Sequence, residues 1–121
     1  MKKAYLVAVP TVTNPDMFAK EYASKVADTL KPFDGKFLVR TPEKLVKEGE
    51  ETTLTVVIEF PNKDKALGWY NSDEHQKIVV QRRKATDPKS TIVICEESDS
   101  YWKKRSKNES NLHKNYRCLW W

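Results

Sequence analysis

The feature of this sequence that most constrains the fold is that its first and last predicted strands are apolar on both faces. Residues 4–9 read AYLVAV and residues 91–96 read TIVICE. Because successive side chains of a strand point to opposite faces of the sheet, alternate residues of such runs face opposite sides. Both faces of the predicted sheet therefore need to be covered.

The rest of the pattern predicts two further strands and two helical regions. Asn14-Pro15 is typical of a helix start, and apolar residues recur every four positions from Phe18 to Leu30. Strands are predicted over residues 37–40 and 54–60, a short helix over 63–70, and a second helix from a Ser72 cap to about residue 84. The order β-α-β-β-α-β predicts a ferredoxin-like α+β fold with an antiparallel four-stranded sheet.

The helices of such a fold cover only one face of the sheet. A second copy of the chain is the simplest cover for the other face, so we predict a homodimer. The alternative is that the C-terminal segment folds back over the sheet.

The positive charge of the chain is concentrated at its C-terminus. The net charge is +5, but residues 1–100 carry sixteen basic and sixteen acidic residues, and residues 101–121 carry six basic residues and one acidic residue. We predict a domain over residues 1–98 and a basic, aromatic tail over 99–121, either mobile or packed through its aromatic side chains. A neutral domain gives little support for nucleic-acid binding.

Several classes of site are excluded by motif. The three glycines are scattered, which excludes a phosphate-binding or dinucleotide-binding loop, and the two histidines lie far apart without a zinc-binding pattern. We therefore predict no metal and no cofactor. No membrane-spanning segment and no export signal are recognisable, so a cytoplasmic location is expected.

His75 and Arg82 are the candidate catalytic residues. With Ser72 as the helix cap, helical spacing places both on one stripe with Ile78 and Val79. His75 could act as an acid or base, and Arg82 could hold an anion. Alternatively, His75 completes the helix cap and Arg82 pairs with a carboxylate of the sheet.

Five further residues are candidates for ligand binding. Arg40 and Glu59, on neighbouring strands, are predicted to lie on the same side of the sheet, where they either hold a ligand or form a cross-strand ion pair. Tyr5 could add a phenol, or simply pack. Trp69 and Tyr70 end the short helix, and since adjacent helical residues point about 100° apart, one of them is expected to wall a pocket or the dimer interface.

The chain also resembles a known family. The runs KAYLVA, FDGKFLVR and VVIEFPNKDKALGWYNSDEHQ, followed by Arg82, resemble the family called domain of unknown function 1330 over residues 2–97. The resemblance implies a dimeric α+β barrel. Related barrels include cofactor-free quinol monooxygenases, ring-cleavage isomerases and haem enzymes, among which the fold does not choose. Asp73 and His75 stand where the family usually has Pro and Tyr.

These observations favour one function and leave a second open. We expect a small metabolite to bind between sheet and helices, with cofactor-free oxygenase or isomerase-type proton transfer. The alternative is a non-catalytic binding or assembly module whose polar residues only stabilise the dimer. An internal cavity that reaches His75 would favour the first function.

Overall fold

Four strands form one antiparallel sheet in the computed structural model, which describes residues 2–98. They are β1 (Ala4–Val9), β2 (Lys36–Thr41), β3 (Thr55–Phe60) and β4 (Thr91–Glu96), and their order across the sheet is β2-β3-β1-β4. With helices between β1 and β2 and between β3 and β4, this is the predicted ferredoxin-like α+β fold. The tail prediction for residues 99–121 lies outside the described residues.

The first helical region is continuous but irregular. It consists of α1 (Pro15–Met17), a π-helical segment (Phe18–Ala23), α2 (Ser24–Leu30) and a 3₁₀ turn (Lys31–Phe33). The side chain of Asn14 accepts a hydrogen bond from the Met17 amide, which confirms the predicted cap. Tyr22, Val26 and Leu30 are buried, as the four-residue spacing predicts. The π-helical segment was not predicted.

The second helical region is broken at Ser72. Helix α3 (Lys63–Asn71) ends there and α4 (Asp73–Ala85) begins, because the extended backbone of Ser72 interrupts the helix and its hydroxyl accepts a hydrogen bond from the His75 amide. The same hydroxyl donates a hydrogen bond to the Trp69 carbonyl at 2.7 Å. Ser72 therefore fixes the junction between the two helices from both sides.

The core lies on one face of the sheet, which we call the inner face. Ala4, Leu6 and Ala8 of β1 are buried there against the helices, together with Ile58 and Phe60 of β3. On the opposite, outer face, side chains remain partly exposed, with Val39 at 37% and Val93 at 48%. Within residues 2–98, the outer face thus carries apolar side chains that are incompletely covered, as the alternation of apolar residues predicts.

An irregularity in β2 changes which face its second half presents. Phe37 is paired with Ile58, but Val39 rather than Leu38 is paired with Val57, so one residue is inserted between the two pairs. This bulge places Arg40 opposite Val56 on the inner face. The prediction that Arg40 and Glu59 share a side of the sheet is therefore wrong.

Candidate functional site

A cavity of about 500 Å³ lies between the inner face of the sheet and the helices. The sheet forms an apolar floor, and the first helical region and α3 form apolar and aromatic walls. The lining side chains of this apolar part include Leu6, Ala8, Val56, Ile58, Ile92, Phe18, Val26 and Trp69. Such a volume accommodates a small organic molecule with an apolar body.

Polar side chains are few and include Arg40, Tyr70, Arg82, Arg83 and Asp87 on the cavity wall. The cavity lining therefore includes three side chains with guanidinium groups and one with a carboxylate. Asp87 already accepts a hydrogen bond from the Lys89 amide at 2.8 Å. The polar part of the cavity is thus suited to an anionic or electron-rich group.

Four of the predicted ligand-binding or catalytic residues meet at this cavity, namely Arg40, Trp69, Tyr70 and Arg82. Trp69 is buried, and its indole N–H donates to Thr29 Oγ1 at 2.9 Å. Tyr70 is only half-buried, which fits the expectation that the two aromatics differ in role. Arg40 donates to the carbonyl of Ala23 at 3.0 Å, and its guanidinium carbon lies 4.5 Å from the centroid of the Phe37 ring.

Glu59 and Tyr5 do not line this cavity. Glu59 lies on the outer face, where its carboxylate pairs with Lys36 at 3.2 Å and Lys3 at 3.4 Å. Desolvation raises the pKa of Glu59, but hydrogen bonds and charges from these two lysines outweigh it and the net pKa is lowered. Tyr5 is paired with Glu59 across the strands and shares its face. A cross-strand ion pair exists, but it joins Glu59 to Lys36 rather than to Arg40.

His75 is fully buried behind the cavity wall, not on its surface. The four residues of its predicted stripe, His75, Ile78, Val79 and Arg82, are all buried, so the helical geometry is confirmed. The imidazole packs on the Trp69 ring, with the ring centroids 4.0 Å apart. Asp73 and Glu74, the first residues of α4 after the break at Ser72, are exposed, and His75 is the first residue of the helix that is buried.

The hydrogen bonds of His75 indicate which ring nitrogen carries the proton in the neutral imidazole. Nδ1 lies 3.0 Å from the carbonyl oxygen of Tyr70, which can only accept, so Nδ1 carries the proton. Nε2 lies 3.0 Å from the hydroxyl of Tyr22. In a neutral imidazole Nε2 is then the acceptor, and Tyr22 donates to it. The cavity surface does not reach His75 directly. Its neighbours Tyr22, Trp69 and Tyr70 line the wall, and of these Tyr22 is hydrogen-bonded to Nε2.

Burial shifts the pKa values of both partners toward their neutral forms. Desolvation, together with the positive charges of Arg82 and Arg83, lowers the pKa of His75, although the hydrogen bond to Tyr70 partly opposes this. Desolvation raises the pKa of Tyr22, and the nearby Arg82 only partly offsets it. The resting pair is consequently a neutral phenol that donates to a neutral imidazole.

Arg82 is the second buried polar residue of the core, with 9% of its surface exposed. Its guanidinium carbon lies 5.4 Å from the centroid of the Tyr22 ring. Desolvation raises the pKa of Tyr70, but hydrogen bonds and charges from Arg82 and Arg83 outweigh it and the net pKa is lowered. Among residues 2–98, no carboxylate forms an ion pair with Arg82. The alternative in which Arg82 pairs with a sheet carboxylate is therefore wrong.

Two residues of the site were missed by sequence reasoning. Tyr22 belongs to the predicted four-residue stripe of the first helix, and Arg83 was not among the candidate residues. Tyr22 is indeed buried, but its hydroxyl contacts His75, and Arg83 reaches the cavity rim beside Tyr70. A hydroxyl-bearing tyrosine in an otherwise apolar stripe is the one signal that could have indicated a polar contact.

Neither a metal cluster nor a membrane helix is found in the described part of the chain. Residues 2–98 contain no group of three His, Cys, Asp or Glu side chains arranged to hold a metal ion. In the same range, every helix is too short or too polar to cross a bilayer.

The sequence profile of the family Domain of unknown function (DUF1330) matches residues 3–108. The chain belongs to this family. The matched range confirms the resemblance seen over residues 2–97 and extends beyond it. No curated protein sequence matches the chain.

Solved structures with the same fold include proteins of unknown and of known activity. A protein of unknown function from Rhodopseudomonas palustris has a TM-score of 0.66 at 11% identity, over 81% of this chain and 84% of that one. SnoaB, a cofactor-independent oxygenase from Streptomyces nogalater, has a TM-score of 0.58 at 14% identity, over 82% of this chain and 96% of that one. An ethyl tert-butyl ether D family protein from Bacillus halodurans has a TM-score of 0.53 at 15% identity, over 81% of this chain and 100% of that one. At these identities the similarity shows the fold alone.

Proposed function

We propose that this DUF1330 protein binds a small, largely apolar and partly aromatic molecule in the cavity and catalyses cofactor-free proton transfer on it. The observation that carries the proposal is the hydrogen bond between Tyr22, on the cavity wall, and the buried neutral imidazole of His75. A proton acceptor that is shielded from water and joined to the cavity by one hydroxyl is a general acid–base arrangement.

The proton moves through Tyr22 rather than directly to His75. An acidic C–H or O–H of the bound molecule gives its proton to Tyr22 Oη, while the Tyr22 proton passes to Nε2 of His75. The imidazolium that forms keeps its Nδ1–H bond to the Tyr70 carbonyl, which stabilises it. The anion left on the bound molecule lies near Arg82, which stabilises the negative charge. Return of the proton to a different atom completes an isomerisation.

The other cavity residues position the molecule. Trp69 and Tyr70 provide aromatic walls, and Arg40 supplies a second cation on the wall. Tyr5 and Glu59 have no part in this site because they lie on the outer face. A cofactor-independent oxygenase has the same fold, so the fold can host chemistry that needs no cofactor.

Deuterium exchange tests the proposal because it detects proton removal from the bound molecule whatever the final product is. Aromatic ketones such as 1-tetralone exchange the C–H protons beside their carbonyl with D₂O, and NMR follows the loss of signal. We expect the wild-type protein to accelerate exchange for at least one ketone of a panel that it binds. Tyr22→Phe should slow that exchange by about 10²-fold or more, because general acid–base catalysis contributes this much. Exchange at the wild-type rate in Tyr22→Phe would remove Tyr22 from the mechanism.

A non-catalytic binding module is the second candidate. It is favoured by one observation, namely that both ring nitrogens of His75 already have partners within the protein. In that case His75 only holds Tyr22 and the helix junction in place. His75→Ala discriminates the two functions: we expect it to abolish exchange while ligand binding persists. Ketones that bind without any accelerated exchange would favour the binding module.

We also propose that two copies of the chain associate through their outer sheet faces. The support is the apolar surface formed by Val7, Val39, Val57 and Val93, which the helices leave partly exposed. The alternative cover, residues 99–121 of the same chain, is an outcome of the test given below.

A further inference from the structure

The unusual feature of the cavity is a buried cation without a counter-charge. Arg82 is more than nine-tenths buried and lines the cavity, and no carboxylate among residues 2–98 neutralises it. Burial of an unpaired charge is strongly unfavourable, and a buried cation persists where it is paired with a group of opposite charge or holds a ligand. The cost of burying this guanidinium therefore requires an explanation.

Within residues 2–98, the groups described in contact with the Arg82 guanidinium are phenols rather than carboxylates. Tyr22 and Tyr70 contact the guanidinium, and desolvation keeps the Tyr22 phenol neutral by raising its pKa. Arg83 and Arg40 add positive charge on the same wall. Asp87 supplies a carboxylate on that wall, but no ion pair between Asp87 and Arg82 is found within residues 2–98. The site thus lacks one anionic oxygen group.

The geometry points to a ligand class: we infer that the natural ligand is an apolar, aromatic-sized molecule that carries one anionic oxygen group, a carboxylate or an enolate, which binds Arg82. The anionic group would accept from the Arg82 guanidinium and lie within reach of the Tyr22 hydroxyl, and the apolar body would lie on the floor formed by Leu6, Ala8 and Val56. A planar guanidinium suits the two oxygens of one carboxylate, and it can also donate to the single oxygen of an enolate. This inference depends on the cavity binding site of the proposed function, and it specifies the charge of the ligand.

Calorimetric titration with a matched pair of probes tests whether the cavity prefers an anionic ligand. The probes are 2-naphthoate and 2-naphthamide, which share size and shape and differ in charge. We expect 2-naphthoate to bind the wild-type protein about tenfold more tightly or better, the range of a charge-assisted hydrogen bond. Because a buried pair is screened less than a surface one, the preference should persist at about 0.5 M NaCl.

Substitutions of Arg82 test whether this residue causes the preference for 2-naphthoate. Arg82→Gln should bring the affinities for the two probes to within about threefold of each other, because the charged hydrogen bond, which is worth more than this difference, is lost. Arg82→Lys should retain part of the preference for 2-naphthoate. The control is Lys84→Gln, which removes an exposed positive charge two residues further along α4 and outside the cavity, and which should leave the preference unchanged. Circular dichroism checks that each variant is folded.

The outcomes separate this inference from the proposed function. Equal affinity for both probes in the wild-type protein would overturn the anion site while cavity binding stands. Loss of the preference for 2-naphthoate in Lys84→Gln, or at high salt, would also overturn the anion site. The preference would then be due to the overall positive charge of the protein. Absence of binding by either probe would count against both proposals. None of these results depends on the folding of Arg82→Gln, because the wild-type comparison and its salt dependence stand alone.

Discussion

His75 is an imidazole with no exposed surface, and both of its nitrogens are engaged in hydrogen bonds. Its helical stripe could be predicted from spacing, because burial of Ile78 and Val79 fixes the rotation of α4. Its contact with Tyr22 could not, because the two residues lie 53 positions apart and meet only after the helices pack. The sequence thus predicted a buried histidine and an arginine on one stripe but not the phenol that joins the histidine to the cavity.

The lowered pKa of His75 predicts a pH-dependent stability. The unfolded chain accepts a proton near the ordinary imidazole value of 6.5, whereas the folded protein resists it until a lower pH. Since the unfolded state then binds more protons, the free energy of unfolding should be greatest above about pH 6.5 and should fall as the pH falls from there toward the lower native value. Urea denaturation at pH 7.5 and 5.5 measures this difference.

The control for this prediction is His75→Gln, which cannot titrate. Its free energy of unfolding should be lower at pH 7.5, because a buried polar network is altered, but should change less between the two pH values than that of the wild type. Equal pH dependence in both proteins would mean that His75 is not the group responsible.

At the scale of elements, two local irregularities build the site. The helix break at Ser72 starts the helix that carries His75, and the bulge in β2 brings Arg40 to the inner face. The break could be predicted because Ser is a good helix cap and Asn71 a poor helix former. The bulge in β2 could not be predicted, since no glycine or proline marks it between Phe37 and Val39. Because of this bulge, Arg40 lies on the side of the sheet opposite to the predicted one. The strands and helices themselves followed from periodicity.

Loss of the Ser72 cap should affect both stability and the site. Ser72→Ala is expected to lower the free energy of unfolding by about 1 kcal/mol, the usual cost of losing an N-cap side chain. It should also slow the exchange reaction, because the junction that positions His75 and the Tyr70 carbonyl loosens.

Asn62→Ala provides the matched control. Asn62 caps α3 by accepting from the Lys65 amide at 2.9 Å, and it does not line the cavity. Its loss should lower stability by a similar amount, about 1 kcal/mol, and leave the exchange rate unchanged. If both variants slow the exchange equally, stability rather than the helix junction accounts for the effect.

For the whole molecule, the outer face of the sheet is the feature that a single copy of residues 2–98 leaves unexplained. Its valines were predicted to need cover, and they remain partly exposed. We expect sedimentation equilibrium to give a dimer mass, and Val57→Asp to shift the protein to monomers by placing a charge in the apolar interface. Wild-type monomers at high concentration would instead favour cover by residues 99–121. The cytoplasmic location stays a prediction.

In the proposed function, a ligand binds and reacts in the cavity between sheet and helices. Ala8 forms part of its floor, with its strand partners Val56 and Ile92 also on the cavity surface. A phenylalanine at this position would occupy the cavity, whereas Val80→Phe places the same side chain on the exposed face of α4.

The most direct test is the rate of ketone deuterium exchange in Ala8→Phe, with Val80→Phe as the control and circular dichroism to confirm folding. We predict that folded Ala8→Phe loses the accelerated exchange and that Val80→Phe retains it. Exchange at the wild-type rate in a folded Ala8→Phe protein would contradict the account, because the reaction would then take place outside the cavity.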